Sequence, residues 1–164
     1  MSVLRFLSLL ILAVWIGGLI ILGAIAAPTI FTVMEGHDPA AGRALAGDVF
    51  GAIFQKFQTT SWILGGLMLV SLATRAALGP RPRHTGVRVL TVAAMLAISI
   101  GTGVLITPRI DRLRRESPGS IASLAAADPR KVEFDRLHGL SNGLMLLTLV
   151  AGLGLLWFET RDVH

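Results

Sequence analysis

Four side chains in the last apolar stretch of the chain have types and spacing that could do chemistry together. His138, Ser141, Asn142 and Met145 recur at steps of three and four residues, so a helix carries them on one face. An imidazole nitrogen and a thioether sulfur are ligands for a metal or for haem iron. The hydroxyl and the amide add hydrogen-bonding oxygens. Gln58 and Ser61 sit in an earlier apolar stretch with the same three-residue step. Together the six side chains predict a polar patch that binds a cation, a metal or a haem, with His138 as ligand. The same residue types also serve plain helix packing, because polar side chains in lipid hydrogen-bond across helices at about 0.6 kcal/mol each. Both readings stay open.

Other chemistry is poorly supplied. There is no cysteine, so disulfides, thiolate metal sites and thiol catalysis are excluded. His37 and His84 fall in connections and His164 ends the chain. No HxxxH or HExxH spacing marks a zinc site. A two-ligand haem would need a methionine such as Met34, Met68 or Met145, or a second subunit, to complete it. No pair of acids or run of carboxylates lies in an apolar stretch. An enzymatic reading therefore rests on His138 alone, as a haem or metal oxidoreductase.

The elements that must position these residues are membrane spans. Of 164 residues 53% are hydrophobic and 15% charged, with a mean hydropathy of +0.71. Soluble domains carry about 25% charged residues. Crossing a ~30 Å hydrocarbon core takes about 20 apolar residues in a helix. Four stretches qualify: Val3–Ala27, Phe57–Leu78, Val87–Thr107 and Leu137–Phe158. The first is long for a signal-peptide core, and Pro28 crowds any cleavage site, so it is read as a retained span. Arg5, Arg75 and Arg88 lie at span ends and are expected to snorkel to the interface. The net charge of +5 does not point to nucleic acid, since the arginines flank apolar runs. There they meet anionic lipid headgroups and set topology. The segment from Arg75 to Arg88 has four arginines and no acid, which favours placing it and both termini in the cytoplasm. The raw count runs the other way, with six Lys/Arg on that side and nine on the other.

The chain also overlays itself at an offset of 80 residues. Gly23 falls on Gly103, Pro28 on Pro108, Phe54 on Phe134 and Ser61 on Ser141. The expected architecture is an all-α membrane protein, one integral domain over 1–164. Its four transmembrane helices form two tandem helical hairpins, 1–80 and 81–164, as a parallel repeat. Short interfacial helices are expected in loops 1 and 3. Asp38-Pro39 and Asp128-Pro129 read as helix starts, and Ala41, Leu45 and Val49 recur at helical spacing. Gly47 and Gly51 are expected to break the first of these helices, and Ser117-Pro118-Gly119-Ser120 to make a turn. Gly17, Gly18, Gly23, Gly65, Gly66, Gly103, Gly139 and Gly143 fit close helix packing better than a nucleotide loop.

Trp15-x-Gly17-Gly18, Ala27-Pro28-x-x-Phe31 and Phe134-x-x-Leu137-His138-Gly139-x-Ser141-Asn142 resemble the transmembrane-protein-205-like family, over nearly the whole chain. The plan is more distantly similar to copper-resistance D and HemJ-like proteins. The resemblance implies a four-helix protein of a bacterial inner membrane with no established reaction, and it makes haem or metal a question worth asking. The leading functional expectation is non-enzymatic: a bundle that binds or passes a small ligand or ion, open to homo-oligomer formation. A haem or metal oxidoreductase using His138 and a membrane scaffold for partner proteins are the alternatives.

Overall fold

In lipid an apolar run can satisfy its backbone only by coiling on itself. The computed structural model describes residues 2–39, 41–78, 84–117 and 120–161, and they are helical almost throughout, with no strand among them. Four helices are long and apolar enough to cross a membrane: α1, Val3–His37; α2, Gly42–Leu78; α3, Thr85–Arg115; α4, Pro129–Arg161. They run up and down as a four-membered ring. Helix α1 packs on α2 and α4, and α3 packs on the same two. Large apolar side chains such as Phe6, Val14, Ile25, Ile63, Val70, Leu90, Leu105 and Leu146 face outward. Water would not tolerate so continuous an apolar surface.

The helices are longer than the spans require. At ~1.5 Å per residue each measures about 45–55 Å, against a ~30 Å hydrocarbon core. The surplus lies at the ends near the α1–α2 and α3–α4 connections, where the charged residues gather. These are termed the outer ends, and the ends near the termini and the α2–α3 connection the inner ends. The helical stretches expected in loops 1 and 3 are present, but as continuous ends of the long helices. Among the described residues, Ile121–Ser123 alone forms a separate single turn of 3₁₀ helix. Gly47 and Gly51 do not interrupt α2. A glycine costs a helix about 1 kcal/mol, and here the missing side chains make room for the Arg114 guanidinium from α3. Pro118, Gly119, residues 79–83 and His164 lie outside the described residues.

Both α1 and α3 pass through a proline without ending. Pro28 and Pro108 lack an N–H and would press on the carbonyl four residues back. A π-helical segment precedes each, Ile21–Ala26 and Thr102–Ile106. There the amides of Ala27 and Thr107 donate to the carbonyls of Leu22 and Thr102, five residues back. The wider turn absorbs the proline within the helix.

Packing is tight in the inner half. Leu12, Trp15, Ile16 and Leu19 of α1 meet Met68 and Leu72 of α2, Val92 and Met95 of α3, and Leu155 of α4. The outer half of α1, Ala27–His37, packs along α2. At the hairpin tip Gly42 lies directly against the backbone carbonyl of Met34, and its amide donates to the Asp38 carbonyl at 2.7 Å. Asp128 starts α4 as its sequence suggests, accepting from the Arg130 amide at 2.9 Å and from its guanidinium at 2.9 and 3.2 Å.

Two outcomes follow from these contacts. In Gly42→Ala the new methyl meets backbone that cannot rotate aside, so thermal unfolding in detergent should show a loss of about 1–3 kcal/mol. Hydrogen bonds from the Arg130 side chain and then its amide hold the Asp128 carboxyl below its ordinary value of 3.8. A depressed folded-state pKa contributes stability that is present above that value and is lost as pH falls below it. Asp128→Asn should remove this part of the acid-side decline, read as helicity by circular dichroism between pH 6 and pH 2, a window set around the ordinary carboxylate value of ~3.9.

Candidate functional site

The inner core does not continue outward. Beyond the π segments the four helices enclose a cleft of about 330 Å³, a size at the lower end of ligand pockets. Gly23, Ala27 and Phe31 line it from α1, and Phe50 and Phe54 from α2. Thr107, Ile110, Asp111 and Arg114 line it from α3, and Phe134, His138, Ser141, Asn142 and Met145 from α4. A second, much smaller cavity of about 30 Å³ adjoins its floor. Gln58, Ser61, Ser99, Thr102, Ser141 and Thr148 bring oxygens to this inner space, with Trp15 and Phe57 as apolar wall. The two spaces share Phe54, Ser141 and Met145.

The six side chains singled out by spacing thus line one or both cavities. His138 and Asn142 belong to the open cleft, Gln58 and Ser61 to the inner cavity, and Ser141 and Met145 to both. His138 is exposed on the cleft wall, its ring stacked on Phe134 one turn before it, with centroids 5.8 Å apart. Gln58 is buried and accepts from the Thr107 hydroxyl at 3.4 Å. Ser61 is buried, and its hydroxyl has no partner among the described residues. His37 and His84 stand at helix ends, away from both spaces. No group of three or more His, Asp or Glu among the described residues is placed to hold a metal ion. Of the glycines, Gly18, Gly23, Gly65 and Gly103 lie within 3.4 Å of a neighbouring side chain at the position a Cβ would take, whereas Gly17, Gly66, Gly139 and Gly143 meet nothing within 4 Å.

Arg114 and Asp111 bring charge to the cleft mouth. The Arg114 guanidinium lies against Gly47 and Gly51, and its side chain is 19% exposed. Asp48 and Asp111 approach only to 3.8 and 4.0 Å.

A second polar centre lies at the inner end, where residue types alone suggested snorkelling. Arg75 and Arg88 turn inward instead. Both are buried, at 5% and 1% exposure, around a fully buried Glu159. Arg75 donates to both Glu159 oxygens at 2.9 and 3.1 Å, and Arg88 donates to one at 2.6 Å. Arg5 donates to the Glu159 carbonyl at 2.8 Å, and the Ser8 and Ser71 hydroxyls bond at 2.9 Å beside the cluster. The correction has a plain cause. An arginine snorkels when water is its best partner, and here a carboxylate at the same depth is better. A signal was available: helix alternation puts the ends of α2 and α4 and the start of α3 on one side, where Glu159 is an acid opposite several arginines.

A model of the family described as "Domain of unknown function (DUF4149)" matches residues 10–118. The chain belongs to the DUF4149 family. That match spans α1, α2 and α3, and so includes the π segments, Gln58, Ser61 and Arg114 but not the His138 stripe of α4. No curated protein and no solved structure matches the chain.

Removing one member of a buried charge cluster leaves the others unpaired, at a cost of about 3–5 kcal/mol. Glu159→Gln should lower the unfolding midpoint in detergent accordingly. An unchanged midpoint would show that the cluster does not fasten the inner end.

Proposed function

We propose that this DUF4149 protein is a non-enzymatic integral membrane protein that binds a small ligand in the outer cleft. The observation that carries this reading is the cleft itself, a space lined by all four helices, mostly apolar, with a few polar groups converging from α3 and α4. The close packing of the inner half favours binding over passage, since it leaves no continuation of the cleft beyond the small inner cavity.

The haem reading is weaker on geometry. His138 and Met145 share one helix with their backbones about 10 Å apart along it, so one metal could take both only if the two side chains reached toward each other across two turns. We propose further a relationship to the transmembrane-protein-205-like family, an origin of the hairpins by duplication, and a placement of the termini on the cytoplasmic side of a bacterial cell membrane. The two proline-bearing π segments, which the 80-residue offset superposes, favour duplication.

Native mass spectrometry of protein extracted from membranes in mild detergent should find a bound species. That species should be lost in Ala27→Phe, whose ring fills the cleft, and the visible absorption spectrum should show no Soret band. A bare chain in both forms, or a Soret band abolished by His138→Ala, would overturn the reading.

A further inference from the structure

The cleft is charged at its rim and mostly apolar below, with His138, Ser141 and Asn142 as a polar stripe down the α4 wall. Its floor, at Gly23 and Met145, lies within the apolar parts of α1 and α4. The wall above is aromatic, with Phe31, Phe50, Phe54 and Phe134. The rim carries Arg114, seven residues past Thr107, where the apolar run of α3 ends. At ~1.5 Å per residue the guanidinium-bearing backbone stands about 10 Å beyond that point, at headgroup depth.

Arg114 is built into this rim. Gly47 leaves the space it occupies, and a methyl at that position would collide with the guanidinium. Its acidic neighbours neutralise it poorly. Asp48 is 3.8 Å away and 73% exposed, so water screens it, and Asp111 is 4.0 Å away. Of the other cations nearby, Arg43 pairs with Glu35 at 3.0 Å, Lys131 donates to the Ala122 carbonyl at 2.9 Å, and Arg115 borders a neighbouring surface hollow rather than the cleft. Among the described residues Arg114 is the guanidinium that lines the cleft, with the Asp111 carboxylate beside it on the same wall. A guanidinium fork matches the two oxygens of a carboxylate or a phosphate ester, and each methylene buried below it contributes about 0.8 kcal/mol.

We infer that the ligand of this cleft is a single-chain anionic amphiphile, its carboxylate or phosphate held by Arg114 and its alkyl chain running down to Met145. The inference rests on the ligand-binding reading above and names the ligand class for the same site.

Trp15 supplies the reporter. It is buried and borders the inner cavity, which shares Phe54, Ser141 and Met145 with the cleft. In the full chain with Trp62→Phe and Trp157→Phe, embedded in phosphatidylcholine nanodiscs, ω-bromododecanoate should quench Trp15. Arg114→Gln should weaken that quenching about tenfold and leave quenching by ω-bromododecanol unchanged, with probe concentrations normalised to the amount in the bilayer. Arg114→Lys keeps the charge but loses the fork, and should fall between the two, which covers the case of a misfolded glutamine variant. Equal quenching by carboxylate and alcohol, insensitive to Arg114, would overturn the anionic head while leaving the cleft reading intact. Displacement of the probe by inorganic phosphate alone would overturn the amphiphile in favour of free phosphate. Failure of both bromoalkyl probes to reach Trp15 would remove the cleft reading and the amphiphile together.

Discussion

A carboxylate held away from solvent between two guanidinium groups fastens the inner end of this protein. Glu159 belongs to α4, Arg75 to α2 and Arg88 to α3, while Arg5 ties α1 to the α4 backbone. In a membrane, apolar side chains gain little by preferring one another to lipid tails. Packing alone therefore holds helices weakly, and a shared buried charge supplies a direction that van der Waals contact lacks. The desolvation of three ionised groups is costly, and only their mutual pairing offsets it. The cleft lies at the opposite end of the four helices.

The winding of α1 and α3 changes where the cleft begins. Each carries a proline that a regular helix would reject, and each absorbs it with a π-helical turn. The wide turn re-aims everything beyond it. Gly23, Ala27 and Thr107, in or just past these turns, border the cleft. The tight core of Trp15, Met68, Met95 and Leu155 gives way at this level to the two cavities. The DUF4149 match reaches from the inner core of α1 to the rim of α3, so three of the four walls fall inside the family's shared region.

Much of the candidate site could be read from residue spacing. A three- and four-residue step places His138, Ser141, Asn142 and Met145 on one face, and a polar stripe in lipid has reason to face inward. Gln58 and Ser61 follow from the same logic. Arg114 was harder to find. It sat in a cluster of alternating charges that resembles any solvated helix end, and its burial depends on Gly47 and Gly51 from a different helix. Arg75 and Arg88 were misread because snorkelling is judged one helix at a time, whereas their partner lies more than seventy residues further along the chain.

What the sequence determined by itself is the solvent and the helices. Apolar runs of sufficient length, few charges and no cysteine leave a bundle of membrane-length helices as the way to satisfy the backbone. Only the tertiary structure decided where the bundle is closed and where it opens. That outcome depends on which side chains from different helices share a depth and a direction: Glu159 among its arginines at one end, and Arg114 over two glycines at the other. Periodicity along one helix reports the face a residue occupies, but not what stands across from it.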